Sequence, residues 1–97
     1  MAKKPTKAES KYMGKVAEMG CIICVNIGHG ETPAEIHHTS NGTMSKRAGN
    51  YEVIPLCHIH HRTGGYGVAV HSGRVQWEAN FGTEQQLLQQ TMDWLNL

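Results

Sequence analysis

The chain has 97 residues, of which 39% are hydrophobic, and its formal net charge at pH 7 is +1. A chain of this length predicts one domain. A hydrophobic core alone gives such a domain little stability, and a bound metal ion often adds to it. It has three cysteines, and an odd number argues against a disulfide framework. It also has no apolar run of the ~18 residues that span a bilayer, and no apolar signal segment in residues 1–15. We therefore expect a cytoplasmic protein without membrane contact.

The N-terminal segment is basic, with five lysines among the first fifteen residues. Residues 1–8 are predicted to be a flexible basic arm, and residues 9–97 a single domain. Such an arm either adds solubility or contacts a phosphate backbone. A helix is predicted over residues 9–19, and Gly20 is well placed to end it in a left-handed conformation.

The middle of the chain is predicted to form a hairpin. Cys21 to Cys24 is predicted as a turn, and residues 34–38 as a short strand. Residues 40–50 are rich in glycine and polar side chains, which is typical of an exposed loop. Residues 51–56 return as a second strand. A short helix is predicted to begin at Cys57.

The C-terminal third alternates glycines with short apolar runs. Residues 68–70 are predicted to be extended. A short helix from Ser72 or Gly73 is expected to place Trp77 near Phe81 at a spacing of four residues. Thr83, with glutamine three residues later, predicts a capping box at the start of an amphipathic helix. Together these elements predict an α+β fold, a small core with flanking N- and C-terminal helices.

Two short motifs, C-x2-C and C-x2-H, predict a structural Zn²⁺ site. Structural zinc takes four soft or borderline ligands in a tetrahedron, usually from two such motifs that are distant in sequence. The segment between the motifs is long enough for the predicted hairpin. All three cysteines are used, which favours this interpretation over buried free thiols. The predicted ligands are Cys21, Cys24, Cys57 and His60.

Several histidines remain outside the zinc site. His37 and His38 are adjacent on a predicted strand, so their side chains start towards opposite faces, one available to a metal and the other to a substrate. His61 follows a zinc ligand, so the structural ion can fix the scaffold that carries the ligands of a second ion. Glu35 and Glu52 are the only carboxylates expected nearby, which disfavours a carboxylate-bridged dinuclear site.

The sequences Glu-Ile-His-His and Ile-Pro-Leu-Cys-x-x-His-His resemble the HNH nucleases, the His-metal-finger endonucleases with a ββα-metal, treble-clef-like core. More narrowly, the chain resembles the phage recombination-enhancement (Ref) type, the RecA-dependent nucleases. That resemblance extends through Arg-Thr-Gly-Gly-Tyr-Gly-Val-Ala-Val-His and Trp-Glu-Ala-Asn-Phe-Gly-Thr-Glu. It covers about Cys21 to Leu88.

The resemblance implies a metal-dependent DNA endonuclease or nickase. His37 and His61 would hold the catalytic ion, Mg²⁺ or another divalent ion. His38 would be the general base, and His71 a further ligand or a substrate contact. The implied partners are DNA and a RecA recombinase filament, and we expect a monomer.

Three cations are candidates to hold phosphates of the substrate, and solvated surface charge is the alternative for each. They are Lys46, Arg47 and Arg62.

One position departs from the HNH pattern. The middle asparagine of the motif is replaced by Glu52, and Asn50 lies two residues earlier. Either Asn50 performs the orienting role from a shifted loop, or the role is absent. The departure leaves open an alternative, a catalytically inactive zinc-stabilised DNA- or protein-binding module. Such a module needs only the four zinc ligands, so the further histidines favour the nuclease.

Overall fold

The chain begins with an amphipathic helix, α1, which spans Lys7–Glu18 in the computed structural model. The structure describes residues 4–39 and 49–95. The Thr6 hydroxyl accepts from the backbone N–H of Glu9, and the Glu9 carboxylate accepts from that of Thr6. This capping box starts the helix two residues earlier than predicted, so Lys7 and Ala8 of the predicted arm are helical. Gly20 follows the helix with φ 81°, as expected.

The first cysteine motif forms a short helix, α2, over Ile22–Asn26 rather than the predicted turn. Cys21 is its N-cap residue, and Cys24 lies three residues further on the same side. Ile22 and Ile23 are almost fully buried. The helical turn therefore buries both isoleucines while keeping the two thiols together.

The predicted hairpin is confirmed as two antiparallel strands, β1 over Glu35–His38 and β2 over Val53–Leu56. Glu35 pairs with Leu56, and His38 pairs with Val53. A sheet of two strands consists only of edges, which is where a strand tolerates a proline such as Pro55.

Strand β2 lies between helices on both faces. Val53 packs with Tyr12 and Val16 of α1. Ile54 and Leu56 belong to a second cluster, which contains the zinc-motif cysteines and apolar residues from the C-terminal half. This arrangement makes every residue of β2 buried. The strand consequently holds the two ends of the chain together.

After the hairpin, the chain forms a π-helical turn over Ile59–Thr63 and a 3₁₀ turn over Val70–Ser72. The backbone N–H of Gly64 donates to the carbonyl of Ile59 at 2.9 Å, which closes the wide π turn. The predicted extended segment over residues 68–70 is wrong. The N–H groups of Val68 and Ala69 both donate to the carbonyl of Gly65, which folds this segment into a turn.

Two helices complete the fold, α3 over Arg74–Phe81 and α4 over Glu84–Trp94. The capping box predicted at Thr83 and Gln86 is confirmed. Among residues 4–39 and 49–95, no helix has the length and apolar character to cross a membrane. The predicted α+β class is confirmed, with a two-stranded sheet and a helix at each end.

Candidate metal centres and active site

Four side chains from α2, the end of β2 and the π turn converge in one buried cluster, which we call the Cys3His group: Cys21, Cys24, Cys57 and His60. Nδ1 of His60 lies 3.7, 3.6 and 3.3 Å from the three sulfurs in chain order. The sulfurs of Cys24 and Cys57 are 3.8 Å apart. A tetrahedral zinc ion with ordinary bond lengths separates two sulfurs by about 3.8 Å and a sulfur from a nitrogen by about 3.6 Å. The group therefore has the chemistry and spacing to bind a metal such as zinc.

The surroundings of the Cys3His group affect its thiols unequally. Burial raises the pKa of the Cys21 thiol to about 12. Burial acts on Cys57 in the same direction, but hydrogen bonds from the backbone of His60 and from the neighbouring thiols outweigh it and lower the pKa of Cys57. Cys57 therefore becomes a thiolate more readily than Cys21, and a bound cation would stabilise neighbouring sulfurs as thiolates.

An aromatic contact links the Cys3His group to helix α3. The His60 ring packs edge-on against Phe81, with centroids 5.2 Å apart. Phe81 in turn packs against the fully buried Trp77, with centroids 6.0 Å apart. Trp77 is therefore two ring contacts away from a ligand of the group.

A second cluster contains His37 from β1, His61 from the π turn and His71 from the 3₁₀ turn, and we call it the three-histidine cluster. One nitrogen of each ring lies within 4.8 Å of the others. The Nε2 atoms of His61 and His71 are 3.0 Å apart. Two nitrogens about 2.1 Å from one ion, in adjacent octahedral positions, are also about 3.0 Å apart. The structure thus brings together three of the histidines that the sequence analysis named as candidates.

The chemistry of the three-histidine cluster suits a divalent transition ion. Burial lowers the pKa of His71, and the nearby His61 and His37 lower it further. A lowered pKa keeps the imidazole neutral, which is the form that binds a metal. Imidazole nitrogens are preferred by zinc, copper, iron and nickel, whereas magnesium prefers oxygen ligands.

Two carboxylates contact the three-histidine cluster from outside. Glu35 accepts from Nδ1 of His61 at 2.8 Å and from Arg62 at 2.5 and 3.0 Å. The Arg62 guanidinium and then His61 lower the pKa of Glu35 to about 2. Glu84 lies 2.6 Å from Nε2 of His37 and 3.5 Å from Nη1 of Arg74.

Sequence reasoning missed Glu84. The expectation that Glu35 and Glu52 are the only carboxylates near the histidines is therefore wrong. Glu52 instead accepts from the backbone N–H of Gly49 at 3.1 Å. Glu84 occupies the first turn of α4, where an acidic residue is ordinary because it complements the helix dipole. Its sequence context therefore gives no signal of a contact with a histidine 47 residues away.

His38 lies outside the three-histidine cluster, as the alternation along a strand requires, and its side chain is exposed. Its Nε2 atom is 2.9 Å from Oδ1 of Asn50. An amide oxygen only accepts, so Nε2 carries the proton and Nδ1 carries the lone pair. Hydrogen bonds from the Thr6 backbone and from the Asn50 side chain lower the pKa of Glu9. Asn50 therefore connects His38 to the start of α1.

Of the three cations predicted to bind phosphates, the structure describes Arg62. Arg62 is 57% exposed at its side chain while it pairs with Glu35. Lys46 and Arg47 lie outside the described residues.

The sequence was compared with known protein families and with curated proteins. The sequence model of the family described as "Recombination enhancement, RecA-dependent nuclease" matches residues 5–96. No curated protein matches significantly. The family match includes both histidine-containing clusters and indicates a nuclease role. The chain belongs to the family of recombination enhancement, RecA-dependent nucleases.

Proposed function

We propose that the protein is a metal-dependent endonuclease or nickase of the HNH type, which hydrolyses phosphodiester bonds in DNA. The observation that carries this proposal is the three-histidine cluster, which lies next to the Cys3His group at the end of a hairpin. An antiparallel hairpin followed at once by a helical turn with His60 and His61 supports a ββα-metal core. A binding module has no need of the second cluster.

The Cys3His group is proposed to hold a structural Zn²⁺ ion. All four ligands are buried, and the first and last of them, Cys21 and His60, are 39 positions apart in the sequence. An ion there ties α2 to the π turn. It thereby fixes His61, which follows the ligand His60 directly.

The three-histidine cluster is proposed to hold the catalytic divalent ion. When bound, such an ion neutralises charge on the scissile phosphate and stabilises the leaving oxygen. The three imidazoles favour a transition ion such as Ni²⁺ or Zn²⁺ over Mg²⁺. His37, His61 and His71 would hold the ion, and the pairing of His37 and His61 with carboxylates fixes the orientation of those two rings.

His38 is proposed to be the general base that takes a proton from the attacking water. Its ring is exposed to a substrate, and its hydrogen bond with Asn50 leaves Nδ1 as the accepting nitrogen. Asn50 would thus supply the orienting role of the missing motif asparagine.

The substrate is proposed to be DNA bound by a RecA filament, in agreement with the family to which the chain belongs. The net charge of +1 is small for a protein that binds DNA unaided. Arg62, Lys46 and Arg47 are proposed to contact neighbouring phosphates. We further propose that the protein acts as a monomer in the cytoplasm, where its thiols stay reduced.

The test is nicking of supercoiled plasmid by the zinc-loaded chain, with and without RecA, in Mg²⁺, Mn²⁺, Ni²⁺ or added Zn²⁺. We expect His38→Ala to lose nicking while its fold and bound zinc stay unchanged. His29→Ala is the matched control, because this histidine is exposed and belongs to neither cluster. Equal cutting by wild type and His38→Ala would remove His38 from the mechanism.

A second candidate is a catalytically inactive, zinc-stabilised DNA- or protein-binding module. The observation that favours it is Glu52, which replaces the middle asparagine of the motif and accepts a hydrogen bond from the backbone N–H of Gly49. The same experiment separates the two functions. DNA binding without strand cleavage, in every metal and with RecA present, would establish the module.

A further inference from the structure

Two carboxylates from distant parts of the chain each connect a histidine of the three-histidine cluster to an arginine. Glu35, on β1, joins His61 to Arg62. Glu84, at the start of α4, joins His37 to Arg74. The same order of imidazole, carboxylate and guanidinium thus occurs on two sides of one cluster.

The second of these connections is buried. The Glu84 side chain is 4% exposed and the His37 side chain is 7% exposed. Removing a carboxylate from water is costly unless charged or hydrogen-bonding partners compensate for the lost hydration. A glutamate that served only the dipole of α4 could remain in water, because that interaction is available at the surface. The inward position of Glu84 therefore calls for a role at His37.

The carboxylates select the tautomer of each histidine. An ionised carboxylate only accepts hydrogen bonds. Nε2 of His37 therefore carries a proton and donates a hydrogen bond to Glu84. The lone pair of His37 is then on Nδ1. At His61 the assignment is reversed, because Nδ1 donates to Glu35 and Nε2 faces His71 at 3.0 Å. In His37 and His61, the carboxylate therefore leaves one defined nitrogen unprotonated and able to bind an ion.

We propose that Glu84, supported by Arg74, is a positioning residue that fixes the tautomer and the ring orientation of His37 for the catalytic ion. Glu35 and Arg62 have the equivalent role for His61. This inference rests on the proposed ion site. It adds that the C-terminal helix belongs to that site, since α4 supplies the carboxylate that prepares a ligand on β1.

The test compares Glu84→Gln with wild type in the full-length, zinc-loaded chain. Glutamine keeps the shape of the side chain but loses its charge and can donate as well as accept. We expect Mn²⁺ binding, measured by electron paramagnetic resonance, to weaken about 10- to 100-fold, as for other outer partners of metal-binding histidines. Glu18→Gln, which removes one exposed carboxylate from α1, is the charge-matched control and should leave Mn²⁺ binding unchanged.

A second measurement needs no catalytic ion. Long-range ¹H–¹⁵N NMR spectra distinguish the two neutral tautomers of histidine. We expect His37 to be protonated on Nε2 in wild type and to become a mixture of tautomers in Glu84→Gln. Arg74→Gln changes a half-exposed side chain and so spares the fold. It should weaken Mn²⁺ binding in the same direction but less, and it decides the matter if Glu84→Gln fails to fold.

The outcomes separate this inference from the proposed function. Unchanged Mn²⁺ affinity and an unchanged His37 tautomer in Glu84→Gln would overturn the role of Glu84 and leave the ion site standing. Absence of Mn²⁺ binding in wild type would overturn the ion site itself. In that case, the tautomer spectra still decide whether Glu84 controls His37.

Discussion

His60 and His61 are consecutive residues, yet His60 lies 3.3 Å from the sulfur of Cys57 while His61 lies 3.0 Å from a nitrogen of His71. Successive side chains on a helical turn point in different directions, and the π turn directs these two into separate clusters. The two clusters are therefore joined through one peptide bond. We therefore expect a disturbance in the Cys3His group to reach the three-histidine cluster.

Cys57→Ser should release zinc and unfold the chain. Metal binding contributes directly to folding in domains of this size, and a serine hydroxyl is a poor zinc ligand. Zinc content by atomic absorption and helix content by circular dichroism measure the two effects. Chelation of zinc from wild type should give the same unfolded state. Retention of both zinc and fold in Cys57→Ser would contradict the structural role of the group.

Asn50→Ala should slow DNA nicking on the order of 10- to 100-fold, a part of what a general base contributes. Without the amide oxygen, the His38 ring loses the partner that defines its tautomer. Mn²⁺ affinity should not change, because Asn50 does not contact the three-histidine cluster. Asn26→Ala removes an exposed amide that pairs with Gln90 and is the matched control. A normal rate in Asn50→Ala would mean that His38 is oriented by other groups.

Gly64→Ala should destabilise the fold by about 1–3 kcal/mol through overpacking. A Cβ atom at this position would lie 2.5 Å from the carbonyl oxygen of Ile59 and 2.6 Å from a methyl group of Val68. The π turn that carries His61 cannot close around such a contact. Urea denaturation measures the loss of free energy of unfolding.

A glycine in α1 provides the contrast. A Cβ atom at Gly14 has nothing within 4 Å, so Gly14→Ala should stabilise the chain by up to about 1 kcal/mol. Equal stability of the two variants would contradict the close approach at Gly64.

Glu35 should remain ionised at pH 4, because the Arg62 guanidinium and then His61 hold its pKa at about 2. A depressed carboxyl pKa adds stability above the ordinary value of 4.5, and this contribution is lost as the pH falls from there towards 2. The ¹³C chemical shift of the carboxyl group measures the pKa. In Arg62→Ala, Glu35 should begin to protonate at a higher pH. An identical titration in both proteins would show that Arg62 does not control this carboxylate.

Local sequence patterns predicted a large part of this structure. The spacing of the cysteines identified the Cys3His group, because each half of the site lies within one turn of chain. Thr83 and Gln86 identified the start of α4 for the same reason, since both capping contacts span three residues. Alternation along β1 separated His37 from His38 correctly.

The remaining features depend on contacts that no local pattern contains. The pairing of Glu84 with His37 joins residues 47 positions apart, on elements whose relative placement follows from packing around β2. Residues 68–70 looked like a strand because they are apolar. Their backbone N–H groups instead find the carbonyl of Gly65, a partner that hydrophobic patterning does not reveal.

The edge-on ring contacts from Trp77 through Phe81 to His60 give the protein a built-in optical probe. The chain has two tryptophans, and Trp77 is fully buried while Trp94 is 47% exposed. The fluorescence emission of a buried tryptophan is blue-shifted relative to that of a tryptophan in water. Ultraviolet fluorescence of a Trp94→Phe variant would therefore follow occupancy of the Cys3His group in real time, without a label.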